Sequence, residues 1–356
     1  MDSLLHDALD RLLAAASPPG TVREIEAGGT PQALWRQIVD SGLADAMVEE
    51  ARGGGGARLD DAFSLFALCG RHALPLPLAH TLAVRSLCAR TGVEAPNGPI
   101  AIAPHPVASA DGALLCRHVP YGRVAQWVVV YQDSPAAGAA ARLLPVGVEN
   151  CRDTGIHGSL QAHLRWSAPP SSGVVLAAPL PWLDIAAAIT AAQMAGAMEA
   201  VLALTLRYAA ERSQFGRPIG SFQAIQQQLA VLAELSMATR IAAELGCREA
   251  APGVPDPLLA AAAKATAAEA AGTVASIAHA VHAAIGITEE YDLQLFTRRL
   301  LEWRTDYGAA GFWQRRLGDA LLASSASSTL EFMLPALFPG AAPGPASDDS
   351  QPGDPT

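Results

Sequence analysis

Charge is scarce in this chain: Asp, Glu, Lys and Arg make up 16% of its 356 residues, while 51% are hydrophobic. That balance excludes a disordered, solvated chain and suits a helix-rich protein with large buried faces, some open to subunit contacts. A basic excess is also missing, since the formal net charge is −10 and the sequence pI about 5.3. A general electrostatic grip on nucleic acid is thereby excluded, because neutralising phosphates takes clustered Lys and Arg. The five cysteines (Cys69, Cys88, Cys116, Cys151, Cys247) are scattered, odd in number and without CxxC spacing. Metal binding and a disulfide framework are therefore not expected, and a reducing cytoplasm is. No apolar run reaches membrane-span length without glycine, proline or charge, and the opening MDSLLHDALDRLL is amphipathic, unlike a signal-peptide core. The expectation is a soluble cytoplasmic protein with neither a membrane nor a nucleic-acid partner.

What is present falls into three textures. The length exceeds one typical core, so two or three domains are expected. Residues 1–90 carry apolar positions at helical spacing, as in Leu4, Leu5, Ala8 and Leu12, then Ala62, Leu65, Phe66 and Leu68. They read as an N-terminal helical domain. Residues 91–179 hold short, partly β-branched runs (98–102, 126–131, 173–176) between Pro, Gly, Ser and Asp. These read as a small β-barrel or sheet domain in the middle of the chain. Residues 180–338 return to helical periodicity, with long helices at 181–212, 222–250 and 258–284 and one or two more between 291 and 332. A loop at 252–257 separates two of them, and the whole reads as a C-terminal four-helix bundle. The tail, 339–356, is rich in Pro, Gly, Ser and Asp and is expected to be disordered. The fold class is α+β, mostly α.

The most specific segment runs from Tyr208 to Gln226, where Arg212, Gln214, Phe215 and Gly216 sit together at the end of a long helix. Arg offers a planar fork to a pyrophosphate, Gln bonds adjacent oxygens, and Phe packs on a ring. Gly216 permits a turn and Pro218 cannot extend the preceding helix. On the residues alone, a capped helix end with a solvated arginine explains the segment equally well. Gly53 to Gly56 suggests a phosphate loop, but no Gly-Lys-Ser/Thr follows, so it reads as a flexible loop.

The order of these residues resembles the R-x-Q-F-G-x-P-I-x-x-F-Q signature of the acyl-CoA dehydrogenases. Two further stretches are similar to the same family. Ala280 to Tyr291 resembles its Q-x-H-G-G-x-G-x-T-x-E-[YH] turn, followed by a helix carrying Arg298 and Arg299. Leu34 to Gly56 resembles its helix-loop entry ending P-E-x-x-G-G-x-G. The resemblance spans nearly the whole chain and implies FAD lying across a subunit interface. By matching positions, Arg212, Gln214, Phe215 and Gln223 would reach the ADP half of a flavin held mainly by a neighbour. The turn at His282 would approach the adenylate end with its backbone, although Ala283 and Ala284 stand where the family has glycines. A second reading of His282 is a helix-end histidine satisfied by a nearby carbonyl.

The family's chemistry needs a carboxylate to remove the α-proton of a thioester while flavin takes the β-hydride. The two positions that supply it align with Tyr307, followed by Gly308, and with Ala186. Asp306 and Asp184 are their neighbours, and Asp306 is the weak candidate for a base after a one-residue shift. The T-E-P-x-A-G-S-D stretch has no counterpart at 101–111. Such a chain resembles the short, degenerate subunit of the heteromeric acyl-CoA dehydrogenases of steroid catabolism. That resemblance implies an acyl-CoA substrate, a catalytically complete partner in an α2β2 assembly, and an electron-transfer flavoprotein as the default acceptor. The rivals are a homotetramer using Asp306 and a flavin-free structural subunit. No metal is expected.

Overall fold

The computed structural model describes residues 2–104, 107–108, 113–131, 141–167, 173–176 and 179–338. The expected disorder at 339–356, and most of the 105–112 stretch, lie outside them. Five helices come first: α1 (Asp2–Ala16), α2 (Pro19–Glu26), α3 (Gln32–Asp40), α4 (Leu59–Arg71) and α5 (Leu78–Arg90). The glycine loop before α4 is not open. The N–H groups of Gly54, Gly55 and Gly56 donate to Glu49, Asp45 and Val48, so its donors are taken up within the chain.

Eight strands follow among the described residues: β1 (Ile100–Ile102), β2 (Val107–Ala108), β3 (Leu114–Val119), β4 (Trp127–Val130), β5 (Ala141–Pro145), β6 (Cys151–Asp153), β7 (Ala162–Trp166) and β8 (Val174–Leu176). They form two four-stranded sheets, ordered β1-β4-β5-β8 and β2-β3-β7-β6, with only the β1–β4 pair parallel. Of the two forms expected, sheet is the one adopted; no barrel closes among the described residues. Val128, Val130 and Leu144 of the first sheet meet Cys116, Val119, Leu164 and Trp166 of the second in a small apolar core.

The rest is helical: α6 (Trp182–Glu211), a hairpin of β9 (Ser213–Gln214) and β10 (Arg217–Pro218), α7 (Gln223–Gly246), a hairpin of β11 (Glu249–Ala251) and β12 (Val254–Pro255), α8 (Pro257–His282), α9 (Leu293–Trp303), α10 (Ala310–Ala323) and α11 (Thr329–Leu337). Two details correct the sequence reading. The loop at 252–257 belongs to the β11–β12 hairpin, and residues 291–338 hold three helices instead of one or two. Tyr307 and Gly308 adopt φ of 56° and 109°, which ends helical progress between α9 and α10. Asp256 caps α8, its carboxylate accepting from Leu258 and Leu259 N–H at 2.9 and 3.0 Å, with Pro257 at the first helical position.

Helix α6 is the spine. It is alanine-rich, and its apolar windows, like those of α8, are long enough to cross a membrane, but 83% of the α6 window is buried inside the protein. It crosses α4 backbone to backbone. A Cβ on Gly70 would lie 1.8 Å from the Gln193 carbonyl oxygen, and one on Gly196 1.8 Å from that of Ala67. Only glycine fits at this contact. A single core therefore runs from α1 through the first sheet into the bundle.

Candidate functional site

At the end of α6 the chain turns through two residues, with Gln214 paired to Arg217. Both central residues have positive φ, 52° for Phe215 and 77° for Gly216, as a primed two-residue hairpin turn requires. Phe215 is no glycine, so it holds a conformation that bulky residues avoid. Its ring is 91% exposed and meets Phe222 edge-on at 6.1 Å. The Arg217 guanidinium lies over the Phe222 ring at 4.2 Å. Beneath the hairpin, Ala209, Ile219 and Val281 form a small buried cluster that ties it to α6 and α8. Arg212, Gln214, Phe215 and Gln223 are all exposed, and the side chains of Arg212, Gln214 and Gln223 make no hydrogen bond or ion pair among the described residues. The structure thus groups four of the five cofactor candidates on one open surface.

His282 is different. It is 1% exposed, and its Nδ1 lies 2.8 Å from the Ala278 carbonyl oxygen and its Nε2 3.2 Å from the Tyr291 hydroxyl. Tyr208 stacks on its ring with centroids 4.5 Å apart. Burial lowers its pKa. The side chain is accounted for inside the chain, as a helix-end histidine bonded to a carbonyl. Its neighbour Ala283 adopts φ 53° and ψ −139°, a conformation that belongs to glycine. The turn has kept the glycine backbone without the glycine. Arg298 and Arg299 are also occupied internally: both pair at 2.6 Å with the buried Glu26, clamping α2 to α9.

The second candidate region lies between α9 and α10, against β3 and β7. A cavity of ≈ 590 Å³ there is lined by Pro104, Arg117, His118, Gln161, Asp306 and Phe312, among others. Tyr307 lines it too, yet its side chain is buried and its hydroxyl donates to the Ile102 carbonyl at 2.6 Å. Asp306 is 6% exposed; Oδ1 accepts from Gln161 Nε2 at 2.8 Å and Oδ2 accepts no hydrogen bond among the described residues. Burial raises the Asp306 pKa well above the ordinary 3.8, against the pull of Lys264; Glu302 raises it further. Lys264, the chain's single lysine, donates to the Gly308 and Arg304 carbonyls at 3.0 and 3.3 Å. Burial brings its pKa down to about 8. Ala186 is fully buried in α6, and Asp184 is held by Arg316, whose Nη2 donates to Oδ2 at 2.9 Å. Neither is poised for proton transfer.

Gln161 and His118, which line this cavity, and Lys264, which bonds the turn behind it, were missed in the sequence. A lone lysine in an alanine-rich helix was a readable signal, since an isolated buried charge needs partners. Gln161 and His118 carried none.

The geometry agrees with comparison to known proteins. Residues 179–311 match the family model described as acyl-CoA dehydrogenase, C-terminal domain. Acyl-CoA dehydrogenase IpdE2 of Mycobacterium tuberculosis is 32% identical over 302 residues, covering 83% of this chain and 89% of that protein. The fold is similar to the ChsE4–ChsE5 complex from Mycobacterium tuberculosis, with a TM-score of 0.76 at 23% identity over 91% of this chain and 98% of that one. It is also similar to a variant of the Tcur3481–Tcur3483 steroid ACAD, with a TM-score of 0.75 at 24% identity over 92% and 99%. The chain belongs to the acyl-CoA dehydrogenase family.

Proposed function

We propose that the chain is a subunit of an FAD-dependent acyl-CoA dehydrogenase that contacts the ADP half of a flavin held mainly by a second, catalytically complete subunit. The observation that carries this reading is the contrast between the two regions. Three polar side chains at the α6 hairpin are exposed and spend no hydrogen bond among the described residues. Both base positions, by contrast, are buried and hold Tyr307 and Ala186. The donor set fits the pyrophosphate and adenosine part of FAD: Arg212 and Gln214 as donors to oxygens, Gln223 beside them, Phe215 as a flat apolar surface. Bound FAD supplies the hydride acceptor for α,β-desaturation of an acyl-CoA. The chain's own residues bind and orient its distal half. A guanidinium and an exposed ring on one open face need a second surface to exclude water, which is what a partner subunit provides.

An α2β2 assembly acting on steroid-derived CoA thioesters is part of the proposal. Its support is that the similar structures are complexes of two different chains, one of them described as a steroid ACAD. A cytoplasmic location, supported by five free cysteines, and an electron-transfer flavoprotein as acceptor complete it.

The Asp306 homotetramer keeps one favourable observation, the unpartnered Oδ2 beside the cavity. Against it, the carboxyl is 6% exposed and its Oδ1 is already engaged by Gln161. The purified chain alone is expected to hold well under one FAD per subunit and to turn over no acyl-CoA. A visible spectrum and a steady-state assay check this. One FAD per subunit with steady turnover would instead establish the homotetramer, and a complex that assembles without colour would establish the structural subunit.

A further inference from the structure

Helix α5 is buried on all sides: from Leu78 to Ala89 every residue but Arg85 is shielded from solvent. A helix so placed has to satisfy its polar side chains inside the chain. Thr81 does so, its hydroxyl donating to the Pro77 carbonyl at 2.8 Å and accepting from the Ile100 N–H at 2.9 Å. His80, beside it, does not. It is 1% exposed, and neither ring nitrogen has a hydrogen-bond partner among the described residues. Two tyrosine rings pack on it, Tyr121 at 5.7 Å and Tyr307 at 6.0 Å between centroids, inclined at 88° and 80°. Near-perpendicular rings allow only weak edge-to-face contacts, which suit a neutral imidazole.

Both tyrosines hold positive φ, 58° for Tyr121 and 56° for Tyr307, a backbone that bulky residues keep only when packing sustains it. The ring they share is His80, which wedges the β3–β4 connection against the α9–α10 turn. That wedge works while it is neutral. Burial is the one cause of its low pKa, about 3, so no neighbouring charge supports a proton there. Around it α4 brings the Cys69 thiol and α6 the Gln193 amide, which donates to the Tyr121 hydroxyl at 2.8 Å. Burial raises the pKa of both tyrosines, so they stay neutral. Behind them, Asp306 gains its own proton before His80 does, and Arg299 is itself a cation. On α5, Arg85 is paired with Asp45. An imidazolium there is a lone buried cation, which two ring faces do not offset.

We infer that His80 is an acid-sensitive latch, which holds the β3–β4 connection and the α9–α10 turn in place while neutral and releases the turn when protonated. The turn is the side that gives way, because residues 305–308 line a cavity of ≈ 590 Å³, whereas Tyr121 borders one of ≈ 20 Å³. The folded pKa lies below the ordinary 6.5, so the opened chain binds the proton more readily. The latch is therefore fully closed above about pH 6.5 and weakens as pH falls toward 3. It stands whether or not the flavin contact at the α6 hairpin holds.

Denaturant titrations of the full chain between about pH 7 and 4.5 test the proton linkage against His80→Phe, which keeps a ring and cannot titrate. Other titrating groups contribute alike to both proteins, so the ratio of wild-type to variant folding constants isolates His80. That ratio should fall about tenfold per pH unit once the pH is below about 6. His80→Asn, which is smaller, gives the same comparison where phenylalanine does not fit. Hydrogen exchange, corrected for intrinsic rates, locates the release. Between about pH 6 and 5 the α9–α10 turn of wild type should lose roughly tenfold in protection that the variant keeps, with α6 unmoved. A ratio of folding constants that does not change with pH would overturn the latch. Protection lost equally in α6 and in the turn would overturn it as well, since His80 would then weaken the fold as a whole and release nothing in particular.

Discussion

The α6 hairpin and the Asp306–Tyr307 turn treat their side chains in opposite ways. At the hairpin every candidate side chain is exposed, and Phe215 holds a positive φ with its ring in solvent. At the turn Tyr307 also holds a positive φ, but its ring is buried against His80, at a centroid distance of 6.0 Å, and its hydroxyl is tied to Ile102. Strain at an exposed position is retained for contact with something outside the chain. Strain at a buried one is sustained by the packing around it. The difference teaches that one region leaves its polar side chains open to a partner of any kind, while the other spends its tyrosine and its aspartate inside the chain, at the wall of a cavity.

The largest effect that would sharpen this contrast is on stability. Tyr307→Ala removes a buried ring and orphans a carbonyl, and should cost about 3–5 kcal/mol in chemical denaturation. Phe215→Ala, at 91% exposure, should stay within about 0.5 kcal/mol. Comparable losses at both sites would erase the distinction between a contact surface and a filled site.

Next in size is flavin affinity. Arg212→Ala in the assembled complex should lose about 1.5–3 kcal/mol of FAD binding, roughly ten- to a hundredfold, with folding unchanged. Tyr307→Phe should leave flavin binding unmoved. Titration of the apo complex with FAD measures both, and an unaltered dissociation constant in the arginine variant would remove the hairpin from the cofactor site.

A third effect is a slope against pH. Asp306 has a folded pKa above its unfolded one, so the folded state binds the extra proton. Its contribution is complete below about pH 3.8 and is lost as pH rises toward the folded pKa. The stability of wild type relative to Asp306→Asn should therefore fall between pH 4 and 7, by at most about 1.4 kcal/mol per pH unit. That window stays below the Lys264 titration near 8. A difference that rises with pH would mean that the carboxylate is ionised and paired in the fold.

The hairpin was legible in the sequence because its residues are contiguous: Arg212, Gln214, Phe215 and Gly216 lie within a single turn. The long helices were legible too, through alanine and helical spacing. The other region was not, because it is assembled from afar. Gln161 reaches Asp306 across 145 positions and Tyr307 reaches Ile102 across 205. No local spacing announces such pairs. Helix-end chemistry left the His282 side chain without a named partner, and only the structure shows the Ala278 and Tyr291 contacts. The break between α9 and α10 falls at the positive φ of Tyr307, a residue with no intrinsic preference for it.

The division of labour between the two regions is tested most directly by rapid-mixing absorbance on the purified complex, following the bleaching of its flavin by an acyl-CoA. With Asp306→Asn in this chain the predicted rate stays within a few-fold of wild type, as the proposal of a base on the partner requires. A drop of about a hundredfold or more with FAD still bound, the size expected for loss of a positioned general base, would contradict it and return the chemistry to this chain.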